Sequence, residues 1–313
     1  MTGDVDDRPT FPLAHLLELA EGRVAEWEAI GAGEPLLWIE GGPGLPAHLA
    51  RPDVALVADL FRGYLVKAPG CGRSTAPASA DGYGLDATVR YFDEVRRALG
   101  LGRVTLMGHS WGALVALAMA LAVPDAVRRL VLIDGYAGAA SVADDIADAE
   151  REAAVDRLRH YPWFEDARAA FGVDIEPTAR ELDERFEACW PLYFAMPESD
   201  VAREHIARLR RETRWNIEAV RAWDPEPPID LLPLLGAIRC PTLVIVGEHD
   251  FICGPAWNRP IADAIPGAVY AEIPGVGHIP EYEAPDAFRR VILDWLRVSP
   301  SVRPGPGNSG SGR

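Results

Sequence analysis

The chain contains the stretch Val104-Thr105-Leu106-Met107-Gly108-His109-Ser110-Trp111-Gly112, in which four strand-type residues lead into a Gly-x-Ser-x-Gly pentapeptide. The apolar segment 113–123, typical of a buried helix, follows directly. A strand, a sharp turn with a central serine and a helix are the context in which this pentapeptide forms a nucleophile elbow. The outer glycines permit the tight turn and a close approach of the helix to its strand. The stretch therefore predicts an exposed serine hydroxyl suited to acyl transfer to water.

Five further apolar runs resemble residues 104–107, because each consists of strand-type residues stopped by turn residues. They are residues 36–39, 64–66, 130–133, 242–246 and 269–273. Helical patterns cover residues 85–99, 113–123, 256–265 and 285–298. This alternation predicts an α/β fold, with a mostly parallel central sheet flanked by helices. Ligands of such folds bind at the carboxyl ends of the strands.

Residues 137–228 interrupt the alternation, since they contain no clear strand and carry many charges and aromatic residues. The aromatic residues are Trp163, Phe164, Phe171, Phe186, Trp190, Tyr193, Phe194, Trp215 and Trp223. Helices over 178–190 and 201–223 fit the pattern best. We therefore expect residues 137–228 to form a helical cap inserted after the sixth core strand. The hydrolytic core then comprises residues 1–136 and 229–298, and residues 299–313 form a disordered tail rich in Ser, Pro and Gly.

Composition excludes several classes of partner. The 313 residues are 49% hydrophobic and carry a formal charge of −16, from 31 basic and 47 acidic side chains. An acidic protein is repelled by nucleic acid and by anionic membranes. The four cysteines are scattered without a C-x-x-C pair, which argues against disulfides and a zinc site. With an acidic amino terminus and no long apolar run, the sequence predicts a cytoplasmic protein. Its oligomeric state is not indicated.

A serine hydroxyl needs a base to remove its proton, and His278 is the best candidate. It follows the last predicted strand in a glycine-rich loop, Gly275-Val276-Gly277-His278. His109 should point into the elbow or the core, and His249 directly precedes the candidate acid. The remaining histidines, His15, His48, His160 and His205, are expected on the surface or in the cap.

The acid that orients the histidine should lie between serine and histidine in chain order. Asp250 follows a predicted strand and would hold the imidazole of His278 in the required tautomer. Asp134, which follows the preceding strand, is its rival, and Glu248 is a weaker one.

The tetrahedral intermediate needs backbone N–H donors. Trp111 follows the nucleophile at a helix start, and the loop Gly41-Gly42-Pro43-Gly44 should supply the second donor. Proline has no N–H, so Gly42 is preferred and Gly41 is the alternative.

Together, five motifs resemble the α/β-hydrolase superfamily and, within it, the proline-iminopeptidase-like group. The resemblance spans about residues 33–296. The motifs are Gly41-Gly42-Pro43-Gly44, Gly70-Cys71-Gly72-Arg73-Ser74, Gly108-His109-Ser110-Trp111-Gly112, Gly247-Glu248-His249-Asp250 and Gly277-His278. The resemblance implies a triad of Ser110, Asp250 and His278, oxyanion donors Gly42 and Trp111, and an insertion that forms a lid. In iminopeptidases, carboxylates of the cap bind the free amino terminus of the substrate, a role for which Glu184, Glu187 and Glu218 are candidates here.

Two departures from the resembled group favour a change of substrate. Glu40 stands where the group usually has a histidine, and Lys67-Ala68-Pro69-Gly70 replaces the usual Asp-x-Arg-Gly. The sequence therefore predicts a serine hydrolase of small esters, amides or N-terminal peptide bonds, and leaves esterase, lactonase and thioesterase activity open. The intact triad argues against a non-catalytic small-molecule binder. Epoxide or halide displacement on this fold requires an aspartate nucleophile, and this chain has Ser110 at that position. The hydrolytic route requires no metal and no cofactor.

Overall fold

The computed structural model describes residues 14–171, 178–222 and 228–299. Its strands are β1 His15–Glu18, β2 Val24–Gly31, β3 Glu34–Ile39, β4 Phe61–Val66, β5 Val104–His109, β6 Val127–Ile133, β7 Thr242–Gly247 and β8 Val269–Ile273. Its α-helices are α1 Arg51–Ala55, α2 Leu85–Ala98, α3 Trp111–Ala122, α4 Asp144–Asp156, α5 Phe164–Phe171, α6 Ala179–Cys189, α7 Asp200–Glu212, α8 Ile217–Arg221, α9 Pro255–Ala264, α10 Pro280–Glu283 and α11 Pro285–Val298.

All eight strands form one sheet in the order β1-β2-β4-β3-β5-β6-β7-β8. The pairs from β4 to β8 are parallel, whereas β1 and β2 add an antiparallel edge. The predicted α/β fold with a mostly parallel sheet is confirmed. Parallel strands end at one edge of the sheet, so the loops after β3, β5, β6, β7 and β8 meet there.

Strands β1 and β2 were not predicted, because β2 carries charged residues inside the sheet. Glu26 and Glu28 are both buried, which an apolar pattern would not show. Each is paired: Lys67 Nζ lies 3.0 Å from Glu26, and Arg51 Nε lies 2.9 Å from Glu28. Pairing offsets part of the desolvation cost of these carboxylates. Lys67, one of the departures from the resembled group, thus belongs to the packing of the antiparallel edge.

Apolar side chains cover both faces of the sheet. One face packs against α2, α3 and α9, through residues such as Phe92, Leu117 and Ile261. The other face packs against α1 and α11, through residues such as Val54 and Trp295. These two layers hold the strand ends, and the loops that follow them, in fixed positions.

Helices α4 to α8 lie between β6 and β7, in the segment predicted to be a cap. A third apolar cluster joins this segment to core loops through Leu49, Phe251 and Ile279. The expected helix over 201–223 is divided into α7 and α8, because the Asn216 side chain accepts from the N–H groups of Glu218 and Ala219 and starts a new helix. Trp223 and the predicted tail from residue 300 lie outside the described residues. The division into core and cap domains stays a prediction.

Across the described ranges, no helix has both the length and the apolar character needed to cross a membrane.

Candidate active site

Ser110 occupies the sharp turn between β5 and α3. Its backbone has φ 53° and ψ −121°, a conformation that non-glycine residues rarely adopt. The surrounding contacts hold it: the Ser110 N–H donates to Ile133 O at 2.8 Å. A Cβ at Gly112 would lie 2.1 Å from Ile39 O, so only glycine allows α3 to approach β3 this closely. The sequence thus builds a strained turn that presents the Ser110 side chain at the edge of the sheet.

His278 and Asp250 are joined by a hydrogen bond of 2.8 Å between Nδ1 and Oδ2. Both side chains are buried. The other oxygen of Asp250 accepts from the N–H groups of Ile252 at 2.8 Å and Cys253 at 3.2 Å. These donors fix the position of the carboxylate beside the imidazole. Because Nδ1 donates to Asp250, Nε2 of His278 carries the lone pair needed by a base.

The His278 backbone is fixed from two sides. Its N–H donates to Tyr193 O at 2.8 Å, and its carbonyl accepts from Nε2 of His109 at 2.8 Å. Burial and the neighbouring His278 ring lower the pKa of His109 to about 3, so this ring stays neutral and keeps one nitrogen as a donor. His109 therefore acts as a support for the loop that carries His278.

Asp134, the rival acid, ends the neighbouring strand β6. It is buried, its Oδ1 accepts from the Gly247 N–H at 2.8 Å, and its Oδ2 has no partner among the described residues. Burial, with the adjacent Asp250 charge, raises the pKa of Asp134 well above its usual range. The charged form of Asp134 is therefore disfavoured, and it is Asp250 that makes the hydrogen bond to His278. The weaker rival, Glu248, is exposed and accepts from the Gly275 N–H at 2.8 Å.

The two candidate oxyanion donors belong to residues that line the same cavity as Ser110. Trp111 is the first residue of α3, where N–H groups point out of the helix end. Gly42 has φ 57° in the loop after β3. The alternative, Gly41, donates its N–H to the Glu40 side chain at 3.1 Å. Since that donor is occupied, the geometry favours Gly42.

One cavity of about 400 Å³ is lined by Ser110, His278, Gly42 and Trp111 together. The segment between β6 and β7 supplies much of its wall. The wall residues from that segment are Tyr136, Ala139, Phe171, Phe186, Trp190, Tyr193, His205, Leu209, Trp215 and Val220. Other predicted cap aromatics, Trp163, Phe164 and Phe194, pack elsewhere in the described part of the segment. An apolar cavity of this size suits a small organic group.

Three carboxyl groups also line this cavity: Glu40, Asp53 and Glu281. Removal from bulk water raises the pKa of Glu40 to about 7 and that of Glu281 to about 8, and raises the pKa of Asp53 well above its usual range. The sequence singles out only Glu40, as a departure from the resembled group. Asp53 and Glu281 were missed, because Asp53 looks like an ordinary acid in the first turn of a helix. The position of Glu281, three residues after His278, was the one available signal.

The carboxylates proposed from the resemblance lie elsewhere. Glu184 pairs with Arg180 at 2.7 Å and Glu218 pairs with Arg221 at 3.1 Å, both on exposed surfaces. Neither these two nor Glu187 lines the cavity. The structure therefore does not bring them to the serine.

His109, Asp134 and His278 are the one group of described residues whose possible metal-ligand atoms all lie within 4.8 Å of one another. His278 Nδ1 donates to Asp250, and His109 Nε2 donates to a carbonyl. Both imidazoles thus use a nitrogen in the hydrogen bonds described above, which favours organisation of a triad over metal binding.

Comparison with known proteins is consistent with this geometry. Residues 31–285 match the family described as alpha/beta hydrolase fold. The chain is 30% identical, over 85% of its length and 88% of the relative, to a 2-hydroxy-6-oxononadienedioate/2-hydroxy-6-oxononatrienedioate hydrolase of Cupriavidus pinatubonensis. It is 23% identical to a proline iminopeptidase of Heyndrickxia coagulans, over 90% of this chain and 97% of the relative. An α/β-fold family hydrolase of Bacillus anthracis str. Sterne superposes with a TM-score of 0.72 at 19% identity, covering 92% and 100% of the two chains.

Proposed function

The chain belongs to the α/β-hydrolase fold family, and from this membership and the cavity geometry we propose that it is a serine hydrolase of small esters or amides. Ser110 is the proposed nucleophile, His278 the base and Asp250 the acid that orients it. The observation that carries the proposal is the 2.8 Å hydrogen bond between His278 and Asp250 beside the strained turn of Ser110. A serine and a histidine that line one cavity, with a buried carboxylate hydrogen-bonded to the histidine, are the arrangement that covalent acyl transfer requires.

The proposed reaction follows from the positions of these groups. Nε2 of His278 takes the proton of the Ser110 hydroxyl as its oxygen attacks the carbonyl carbon of the substrate. The N–H groups of Gly42 and Trp111 bind the resulting oxyanion. His278 then gives its proton to the leaving alcohol or amine, which leaves an ester on Ser110. Water, deprotonated by His278, releases the acid product and restores the serine.

Two contacts prepare His278 for these transfers. Tyr193 O and His109 Nε2 hold the backbone of its loop, so the imidazole needs little reorganisation during the reaction. Asp250 stabilises the imidazolium that forms when His278 takes the proton.

The cavity favours neutral or cationic substrates over dianions. No lysine or arginine is among the described residues that line it, whereas Glu40, Asp53 and Glu281 are. The 30% identical relative is named for a dioate, a substrate with two carboxylates. A dianion would enter this cavity without a cationic partner, at a high desolvation cost. We therefore propose an ester, lactone, thioester or amide without negative charge as the substrate.

A fluorophosphonate probe tests the nucleophile. We expect one label on the wild-type chain and none on Ser110→Ala, because the probe forms its bond with an activated serine oxygen. A screen of p-nitrophenyl esters beside proline and alanine arylamides then separates esterase from aminopeptidase activity. Persistent labelling of Ser110→Ala, or an unlabelled wild type, would show that the proposed function is wrong.

A further inference from the structure

The loop that carries the proposed oxyanion donor Gly42 also contacts the segment between β6 and β7. We call residues 41–45 the oxyanion loop. Asn216 of the inserted segment donates its backbone N–H to Gly44 O at 2.9 Å. Gly44 has φ 91°, and a Cβ there would lie 2.6 Å from Asn216 O, so only glycine allows this approach. Backbone atoms thus hold the oxyanion loop against the inserted segment.

The side chain of Asn216 contacts a second loop of the core, residues 67–75, which follows β4. Its Nδ2 donates to Pro69 O at 3.2 Å and lies 3.5 Å from the hydroxyl oxygen of Tyr83. A Cβ at Gly70 would lie 2.5 Å from the same nitrogen. Strands β3 and β4 are neighbours in the sheet. Asn216 therefore bridges the loops that follow two adjacent strands.

Helix capping does not account for both contacts of the Asn216 side chain. Its oxygen accepts from the N–H groups of Glu218 and Ala219, and an aspartate or serine at the start of α8 would do the same. Capping uses only this oxygen, whereas the contact with Pro69 uses the amide nitrogen. Asparagine combines a capping oxygen with N–H donors on one short side chain.

Trp215, the neighbour of Asn216, extends the contact to Gly42. A Cβ at Gly42 would lie 3.2 Å from the Trp215 ring and 3.0 Å from the Leu45 side chain. Gly42 and Trp215 line the cavity of Ser110, whereas Asn216 does not. Asn216 can therefore influence the reaction only through its neighbours and not by touching a substrate.

We propose that Asn216 is a positioning residue that holds the Gly42 N–H in place for the oxyanion. The inference rests on the proposed function, in which Gly42 supplies one of the two oxyanion donors. Donors stabilise an oxyanion best when they are fixed before the reaction, because no reorganisation is then needed. Asn216 fixes the oxyanion loop against the loop after β4. The inserted segment thereby supports the oxyanion hole as well as forming part of the cavity wall.

This role affects the transition state more than the bound substrate. The oxyanion forms only after Ser110 attacks, so the substrate gains little from a well-placed Gly42 before that step. A displaced donor should lower kcat and kcat/KM together and leave KM nearly unchanged. A change of the cavity wall through Trp215 would instead alter KM and the affinity for any ligand of the cavity.

Two variants remove the contact with Pro69 and retain the cap of α8. Asn216→Asp places a second oxygen opposite Pro69 O, where two acceptors repel, and Asn216→Ser has a side chain too short for this contact. We expect kcat for p-nitrophenyl butyrate to fall about 30-fold in both variants, less than for a donor that is removed altogether, while KM changes less than about twofold. Ser199→Ala is the control, because it removes the cap of α7 in the same segment. It should leave kcat unchanged.

A pair of ketones of similar size tests the oxyanion hole separately from the rest of the cavity. The carbonyl carbon of 1,1,1-trifluoro-2-octanone bonds to the Ser110 oxygen, His278 takes the serine proton, and the carbonyl oxygen becomes an oxyanion. The second ketone, 2-octanone, binds without forming this bond. We expect the inhibition constant of the trifluoro ketone to rise about 30-fold in Asn216→Asp and that of 2-octanone to change less than about twofold.

Amide hydrogen exchange, measured by mass spectrometry, tests the contact in the resting chain, whether or not the chain hydrolyses esters. Peptides that contain residues 41–45 should exchange at least about fivefold faster in Asn216→Asp than in the wild type, because the loop opens more often. The same peptides should exchange at the wild-type rate in Ser199→Ala.

Four results would overturn the positioning role. They are near-wild-type kcat in both Asn216 variants, an equal loss of affinity for the two ketones, unchanged exchange of residues 41–45, and a loss of kcat in Ser199→Ala as large as in Asn216→Asp. Fluorophosphonate labelling of the wild type separates this failure from that of the proposed function. A labelled enzyme whose Asn216 variants keep their kcat refutes the positioning role alone. An unlabelled wild type, with faster exchange of residues 41–45 in Asn216→Asp, refutes the serine hydrolase and supports the loop contact.

Discussion

The carbonyl oxygen of Tyr193 accepts a 2.8 Å hydrogen bond from the backbone N–H of His278. Tyr193 belongs to the segment between β6 and β7, whereas His278 lies in the loop after β8. The position of the proposed base therefore depends on the inserted segment as well as on the sheet.

Gly277→Ala should disturb this contact directly. A Cβ at Gly277 would lie 2.4 Å from Tyr193 O, so the backbone of one segment has to move. We expect kcat to fall about 100-fold, since small displacements of a base are costly, and the free energy of unfolding to fall by roughly 1–3 kcal/mol. Steady-state kinetics and urea unfolding measure the two effects. Gly102→Ala is the control, because its methyl group would meet no atom within 4 Å; an equal loss there would refute the contact's role.

Asp250→Asn should lower kcat about 10⁴-fold, because an amide at this position favours the wrong imidazole tautomer. Asp134→Asn should cost less than about tenfold, since the Asp134 carboxyl accepts from the Gly247 N–H, which an amide oxygen also does. Turnover of an activated ester measures both variants. The assignment fails if Asp134→Asn is the crippling substitution and Asp250→Asn retains near-normal turnover.

Trp215→Ala should change which acyl groups are preferred. Trp215 lines the cavity and its ring lies 4.3 Å from that of Phe186, so its removal enlarges the cavity wall. We expect the ratio of kcat/KM for octanoyl and butyryl p-nitrophenyl esters to rise roughly fivefold or more. Trp163 stacks on Tyr161 away from the cavity, and Trp163→Ala should lower stability without changing the ratio. If the two variants show the same octanoyl-to-butyryl ratio of kcat/KM, Trp215 does not determine acyl-chain specificity.

Stability should fall as pH rises, in part because of Glu281. Burial raises its pKa from 4.5 to about 8, so between these values the folded chain holds a proton that the unfolded chain has released. The contribution is fully present below the unfolded pKa and is lost as pH approaches the folded pKa, with a slope of about 1 kcal/mol per pH unit. Urea unfolding at several pH values should show a shallower slope for Glu281→Gln. Parallel curves for the variant and wild type would contradict the raised pKa.

Much of the fold follows from local sequence. The parallel strands are continuous apolar runs ended by turn residues, and helices such as Pro285–Val298 coincide with the expected periodic segments. Strand Val24–Gly31 was not predicted, because it contains buried glutamates. Their ion-pair partners, Arg51 and Lys67, lie far along the chain. Ion pairing across the fold has no local signal in a sequence.

Local sequence likewise predicts one part of the candidate site and not the other. The Gly-x-Ser-x-Gly motif and its flanking strand and helix predict Ser110 as the nucleophile. Chain order favours Asp250 and His278 as its partners, and the structure joins these two by a hydrogen bond. The convergence of Asp53 and Glu281 depends on packing between segments more than 200 residues apart, so it emerged only from the structure. The roles of the triad residues stay predictions until the variants are measured.

Asp134 and Asp250 follow neighbouring strands, and an oxygen of Asp134 lies within 4.8 Å of a nitrogen of His278. The imidazole thus has a second acid nearby, whose pKa is raised by burial and by the adjacent Asp250 charge. A chain without Asp250 would therefore still hold a carboxyl within 4.8 Å of the imidazole, at the end of the adjacent strand.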